Sequence, residues 1–196
     1  MFYNKLIFGI AITSSFLTLI LILFSSRELI LLNGNENYAR WIFYYHVPIA
    51  WNSGISFLLG GCYSLLYIRT KNIKYDIKAL AFLELGTLFG FLVLFTGSIW
   101  AKVEWNVYWA WEPRLTTTLI MVLIYLGYFM IKEFGGNYEK TSIYRSYISL
   151  LSLIMLPIIY YSVDWWLDFQ SHPGRGEYYN YGGLRIFLFS MLSFSF

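Results

Sequence analysis

The chain of 196 residues is 58% hydrophobic but only 13% charged, and its formal net charge is +3 at pH 7. Because soluble domains carry about 25% charged residues, this composition is typical of a membrane protein. The small net charge argues against a nucleic-acid partner. The single cysteine, Cys62, excludes an intramolecular disulfide and paired-thiol chemistry.

Six apolar runs predict an all-α polytopic membrane protein, with six transmembrane helices in a single membrane domain of residues 1–196. About 20 apolar residues cross the ~30 Å hydrocarbon core as a helix, so the last run indicates a short or truncated sixth helix. No small-residue cleavage site follows the first run, which we therefore expect to be a retained helix and not a signal peptide. The predicted spans are about residues 6–24, 41–68, 79–99, 115–131, 147–163 and 184–196.

Three residues in these runs are predicted to have structural roles. Glu84 can pair with Lys78 or another lysine near the membrane surface. Pro113 fits the first turn of the fourth span, where its missing N–H group is not needed. Pro157 should kink the fifth span.

The positive charges predict which side of the membrane each loop faces. The N-terminus and the loops 69–78 and 132–146 hold eight lysines and arginines, against five in the loops 25–40, 101–114 and 164–183. This bias predicts that the N-terminus lies on the cytoplasmic or matrix side. Both histidines and every tryptophan then fall on the outer side, mainly in a tryptophan-rich loop, 100–114, and a histidine loop, 164–183.

An aromatic belt at the membrane surface is one explanation of these tryptophans, but a belt usually decorates both interfaces. Trp105, Tyr108, Trp109 and Glu112 recur at i, i+3, i+4 and i+7, which makes one stripe if the segment is a short interfacial helix. With Trp111 beside it, such a stripe suits a planar aromatic ligand. A platform for a planar ligand is the favoured interpretation of these aromatic residues. An aromatic belt remains the alternative.

The two histidines, His46 and His172, suit the axial positions of a haem iron, where neutral imidazole is a common ligand. Zinc is the alternative, but it takes three or four ligands, and only Asp164, Asp168 and loop glutamates could complete such a set. Haem is therefore favoured over zinc.

Two arginines and a glutamate lie close to these residues in the sequence. Arg114 or Arg40 can pair with a haem propionate, although each is equally an interfacial anchor. Glu112 precedes Pro113, so we expect it to cap the next helix or hold Arg114 and not to ligate a metal. No catalytic triad, phosphate loop or dinucleotide fingerprint occurs, so the sequence does not predict an enzyme.

Four segments resemble the haem-handling proteins, and most closely the cytochrome c maturation protein C (CcmC) family. The main one is the tryptophan-rich motif Trp105-Asn-Val-Tyr-Trp-Ala-Trp-Glu112-Pro-Arg-Leu-Thr116. The others, in the family's order, are Tyr45-His46-Val-Pro-Ile-Ala-Trp51, Thr96-Gly-Ser-Ile-Trp100 and Leu156-Pro-Ile-Ile-Tyr-Tyr-Ser-Val-Asp-Trp-Trp166. The chain departs from the family pattern at Asn106, where glycine is usual, at Tyr108 (Trp), at Glu112 (Asp) and at Pro113 (a small residue).

The resemblance implies a six-helix protein of a bacterial or mitochondrial inner membrane, with its haem site facing the periplasm or intermembrane space. It implies that His46 and His172 ligate the iron of haem b and that the tryptophan-rich motif carries the macrocycle. The cofactor-binding residues would be Trp105, Tyr108, Trp109, Trp111, Glu112 and Arg114. It also implies delivery of haem to the haem chaperone CcmE for c-type cytochromes, with CcmD and the CcmAB transporter subunits as partners.

Two other functions remain as alternatives. A CcsA-type cytochrome c synthase would catalyse haem attachment itself, but it normally brings more spans and additional intramembrane histidines. A b-type electron-transfer cytochrome would need histidines deep in facing helices, whereas both histidines are predicted at one surface.

Overall fold

The structure, a computed structural model, describes residues 39–165 together with helical positions at 13–14, 16–18, 20, 188 and 190–192. Within 39–165 the chain is helical and has no strand, as the sequence predicts. The helices are α1 (Ala39–Thr70), α2 (Ile73–Trp105), α3 (Pro113–Phe134), α4 (Tyr138–Ser152) and α5 (Met155–Trp165).

Four helical stretches of this described part are long and apolar enough to cross a membrane: Tyr44–Thr70, Ile73–Lys102, Pro113–Phe134 and Tyr138–Ser162. They confirm the four central predicted spans. The predicted spans 6–24 and 184–196 lie almost wholly outside the described residues. The count of six helices and the side of the N-terminus therefore stay predictions.

The predicted loops 69–78 and 132–146 are much shorter than expected. Only Lys71 and Asn72 separate α1 from α2, because Asn72 Oδ1 accepts from the backbone N–H of Lys74 at 3.0 Å and so starts α2 early. Likewise only residues 135–137 separate α3 from α4. Asn137 is the N-cap of α4 and its side chain accepts from the Lys140 N–H group. The predicted polar loops 69–78 and 132–146 are thus mostly helix.

The predicted tryptophan-rich loop, 100–114, is also shorter than expected. Its first six residues belong to α2, and the segment that joins α2 to α3 is residues 106–112. Trp105, Tyr108, Trp109 and Glu112 would form one stripe only on a short interfacial helix, and this condition is not met. The physical reason is that α2 ends where Asn106 takes the left-handed conformation, at φ +58°.

The predicted kink at Pro157 is confirmed as a break between α4 and α5. A proline lacks the N–H group that would bond the carbonyl four residues earlier, here that of Leu153. That carbonyl accepts instead from Leu156, at 3.1 Å, in a tighter turn. The fifth span accordingly consists of two helices with residues 153–154 between them.

The described helices contribute to two compact units, one holding residues 39–52 and 95–109 and the other 53–94 and 110–165. In the second unit α3 packs against both α4 and α5. Its core includes Phe57, which stacks on Tyr125 at 4.4 Å between ring centroids. The Tyr125 hydroxyl accepts from Ser152 at 2.8 Å. The predicted structural role of Glu84 is confirmed, since it pairs with a lysine, Lys132, at 3.2 Å.

Candidate functional site

In the first unit, His46 lies beside the C-terminal half of α2. Its Nδ1 atom lies 2.8 Å from the Thr96 hydroxyl oxygen, fifty positions further along the chain. The imidazole is half-buried in the first turns of α1. His46 is therefore fixed between two helices and does not belong to a loose loop.

This hydrogen bond bears on which ring nitrogen can bind a metal. When an imidazole donates its Nδ1–H to a neighbouring oxygen, the lone pair resides on Nε2. A threonine hydroxyl can accept this bond, and partners of this kind fix the tautomer and the orientation of metal-ligating histidines. The arrangement of His46 and Thr96 therefore suits ligation of an iron through Nε2.

Two indole rings continue the surface next to His46. The Trp100 ring lies 6.1 Å from the imidazole, centroid to centroid, and is tilted by 50° to it. The Trp105 ring lies 6.2 Å from Trp100 with a tilt of 37°. Thr96 and Trp100 are four residues apart, so they share one face of α2. This face carries both the oxygen that orients His46 and the first ring beside it.

Past Trp105 the chain turns sharply at Asn106, and Lys102 holds this turn. The Lys102 ammonium donates to the Asn106 carbonyl at 3.0 Å and to Asn106 Oδ1 at 2.8 Å. It also lies 5.3 Å from the centroid of the Tyr108 ring. Asparagine is among the residues that tolerate positive φ, so Asn106 can adopt this conformation.

The predicted platform residues differ in exposure. Tyr108 is 65% exposed and Trp111 is 74% exposed. Trp109 is half-buried, as is Trp105. The non-helical segment 106–112 thus presents aromatic rings without the regular spacing of a helix.

The second unit contains the start of α3, which Glu112 caps. Its carboxylate accepts from the backbone N–H groups of Arg114 at 3.2 Å and Leu115 at 2.7 Å. Glu112 is fully buried, and Pro113 occupies the first helical position. The prediction that Glu112 caps this helix is confirmed. Its carboxylate therefore has a structural role, since it bonds two backbone N–H groups at the start of α3.

Arg114 is tied to α5 by its guanidinium, which donates from Nη2 to the Tyr160 carbonyl at 3.4 Å. A bond of this length is weak. The predicted role of Arg114 toward a propionate stays a prediction.

Several predicted residues lie outside the described residues. They are His172, Asp168, Trp166 and the side chain of Arg40. Among the residues that the structure describes, no three His, Cys, Asp or Glu side chains converge as a metal cluster. Pairing of His46 with His172 is thus a prediction from the sequence alone.

Sequence reasoning missed Thr96 and Lys102 as neighbours of the predicted site. A signal for Thr96 was present, since a threonine one helical turn before Trp100 interrupts an apolar run. The sequence predicts Lys102 only as a loop charge, because the predicted third span ends at residue 99 whereas α2 continues to Trp105.

Comparison with known proteins then decides the family. Residues 4–173 match the family described as haem exporter protein C (CcmC). The chain belongs to the haem exporter protein C family. It is 36% identical over 131 residues to a cytochrome c biosynthesis ccmC-like mitochondrial protein of Marchantia polymorpha, covering 67% of this chain and 54% of that protein.

Bacterial members are similarly close. Haem exporter protein C of Bradyrhizobium diazoefficiens is 36% identical over 128 residues, which cover 64% of this chain and 48% of that protein. The same-named protein of Escherichia coli K12 is 33% identical over 128 residues, covering 64% and 51%. The chain thus spans about half the length of the curated relatives it matches. Family membership and the four apolar helices together identify an integral membrane protein.

Proposed function

We propose that this protein binds haem at the outer face of the membrane and delivers it to the haem chaperone CcmE during the biogenesis of c-type cytochromes. The observation that carries the proposal is the His46 imidazole, which Thr96 holds through Nδ1 with Trp100 beside it. Membership of the haem exporter protein C family supports the same ligand.

His46 would hold the iron through Nε2, and His172 would supply the second axial ligand of haem b. The donor set fits this cargo, because an imidazole whose Nδ1 is already hydrogen-bonded is suited to bind a metal through the other nitrogen. Two neutral imidazoles are a common axial pair for haem iron. His172 enters this proposal from the sequence alone.

The macrocycle would lie against aromatic rings. Trp105, Tyr108 and Trp109 offer flat apolar surfaces, which suit a planar ligand at low entropy cost. Tyr108 is exposed and the two tryptophans are half-buried. Trp111 and Arg114 complete the proposed set, with Arg114 toward a propionate, as the sequence predicts. Glu112 contributes by fixing the start of α3 through its two hydrogen bonds.

The proposed transfer makes and breaks no covalent bond in the protein. Haem leaves when at least one histidine–iron bond opens and a ligand of the chaperone replaces it. CcmD and the CcmAB transporter subunits would be partners in this process, and membrane lipid surrounds the exposed apolar side chains of the helices.

The proposal is tested by the haem content of purified protein. Wild type, His46→Ala, His172→Ala and the double variant are isolated from haem-replete membranes, and haem per chain is quantified with the absorption spectrum. We expect wild type to show a low-spin spectrum of two imidazole ligands, each single variant to lose much of the haem, and the double variant to lose nearly all.

A matched control separates the platform from an aromatic belt. Trp51 is an exposed tryptophan on α1, and Trp51→Ala should retain haem. Trp109→Ala and Trp111→Ala should lose haem, or block loading of the chaperone, while the protein still inserts. If all three variants instead lose membrane insertion to the same degree, the tryptophans form a belt. A spectrum that is unchanged in the double histidine variant would overturn the ligand assignment.

A further inference from the structure

We propose that Lys102 is a positioning residue that sets the orientation of the Tyr108 ring for haem. This inference rests on the proposed function above. It concerns the described segment 102–108, where one ammonium group contacts two residues of the chain that follows α2. The tryptophan-rich motif predicts no role for this lysine, because Lys102 precedes the motif, which begins at Trp105.

The contacts of Lys102 are of two kinds. Its ammonium donates to the backbone carbonyl and the side-chain oxygen of Asn106, at 3.0 and 2.8 Å. The same ammonium lies 5.3 Å from the Tyr108 ring centroid, within the distance of a cation–π interaction. The first contacts stabilise the end of the helix, and the last acts on the ring.

The end of a helix favours a positive charge at this place. The last carbonyls of α2 have no partners inside the helix and carry partial negative charge, so a lysine in the last turn is held there. Asn106 reverses the chain with φ +58°, which directs residues 107 and 108 back toward the last turn. The ammonium is therefore held at the end of α2 by its two hydrogen bonds to Asn106, next to the Tyr108 ring.

Tyr108 depends on this contact for its orientation. The ring is 65% exposed and belongs to no helix. Among the residues that the structure describes, Lys102 makes the one cation–π or ring contact with Tyr108. A ring that is held before the ligand arrives loses less conformational freedom on binding, so Lys102 should slow the release of haem.

The experiment measures haem release to excess apomyoglobin from wild type and three variants in detergent. Lys102→Met removes both kinds of contact at similar side-chain length. Lys102→Gln keeps a neutral donor for Asn106 but has no charge over the ring, and Lys102→Arg keeps both. We expect release to be about fivefold faster for Met and Gln and close to wild type for Arg. The Soret maximum should not move, because His46 is unchanged.

The glutamine variant separates positioning from a helix-capping role. A lysine that only caps α2 would be replaced well by glutamine, so wild-type release from Lys102→Gln overturns the proposal. A double-mutant cycle with Tyr108→Leu adds a second measure: Lys102→Gln should accelerate release in the wild-type background but not in Tyr108→Leu. Equal acceleration in both backgrounds would also overturn it.

Failure of the underlying function has a different result. If wild type binds no haem, or His46→Ala leaves haem content and spectrum unchanged, the proposed haem site itself is wrong. If wild type binds haem and His46→Ala loses it, while Lys102→Gln releases haem as slowly as wild type, only the role of Lys102 is wrong.

Discussion

Arg145 on α4 donates a hydrogen bond from Nη2 to Asp76 Oδ2 at 3.0 Å, and the two side chains are only 2% and 3% exposed. The same carboxylate oxygen accepts from the Tyr138 hydroxyl at 2.6 Å. The guanidinium carbon also lies 5.3 Å from the Tyr128 ring centroid. A buried ion pair thus joins the first turn of α2 to the middle of α4.

This pair should be sensitive to removal of either partner. In the described part of the chain, Asp76 Oδ1 and Arg145 Nε and Nη1 have no hydrogen-bond partner. Breaking a buried pair leaves an uncompensated charge away from water, which typically costs about 3–5 kcal/mol. We expect Asp76→Asn and Arg145→Met each to lower the unfolding temperature in detergent strongly.

The exposed pair of Glu84 and Lys132 is the matched control. Its side chains are 52% and 34% exposed, and exposed pairs contribute about 0–1 kcal/mol. Lys132→Met should therefore change the unfolding temperature little. If Lys132→Met and Arg145→Met lower the unfolding temperature equally, the buried ion pair contributes no more to stability than the exposed pair, which would contradict this prediction.

Gly86 allows two helices of the second unit to approach closely. The second prediction concerns the stability of the protein when this glycine is replaced. A methyl group on Gly86 would come within 2.9 Å of the Phe57 ring, whereas one on Gly127 meets nothing within 4 Å. Overpacking a buried contact costs about 1–3 kcal/mol. Alanine inside a helix is favoured over glycine by about 1 kcal/mol.

We therefore expect opposite effects from the same substitution. Gly86→Ala should lower the unfolding temperature because Phe57 stacks on Tyr125 and has little room to move. Gly127→Ala should leave it unchanged or raise it. If both variants behave like Gly127→Ala, α1 and α2 are packed more loosely than the structure shows.

The sequence predicted the four central spans because each is a long apolar run, but it placed their ends poorly. Charge was the guide to loop boundaries, and charge misleads where Asn72 and Asn137 start helices inside charged segments. The sequence does not predict the ion pair of Asp76 and Arg145 for the same reason, since both residues lie in predicted loops.

The candidate site was predicted in part. The capping role of Glu112 follows from residue chemistry at a helix start and is confirmed, whereas the role of His46 as a ligand stays a prediction. The helical stripe failed because residue spacing cannot show that Asn106 takes a left-handed conformation. Thr96 was not foreseen as the partner of His46 because their contact joins two helices across fifty positions.

Glu112 gives a third prediction, which separates helix capping from ligation. Replacing a capping side chain by alanine costs about 1 kcal/mol, so Glu112→Ala should lower the unfolding temperature. Aspartate is a preferred cap and Glu112→Asp should restore most of the stability. The absorption spectrum of bound haem should be the same in both variants, because the carboxylate bonds two backbone N–H groups. A shifted Soret band in Glu112→Ala with unchanged stability would indicate a ligand role instead.

The contact between Thr96 and His46 gives the fourth prediction. Thr96→Val preserves the shape of the side chain but removes the oxygen 2.8 Å from His46 Nδ1. Loss of such a supporting partner typically lowers metal affinity about 10–100-fold, so haem should dissociate more readily and its spectrum should change. Thr96→Ser should retain the haem. Thr87 is the matched control on the same helix, because its hydroxyl bonds the carbonyl of Leu83 within α2 at 2.7 Å. Titration of the purified variants with haem measures each affinity. Equal affinity of Thr96→Val and Thr87→Val would show that Thr96 does not support the iron ligand.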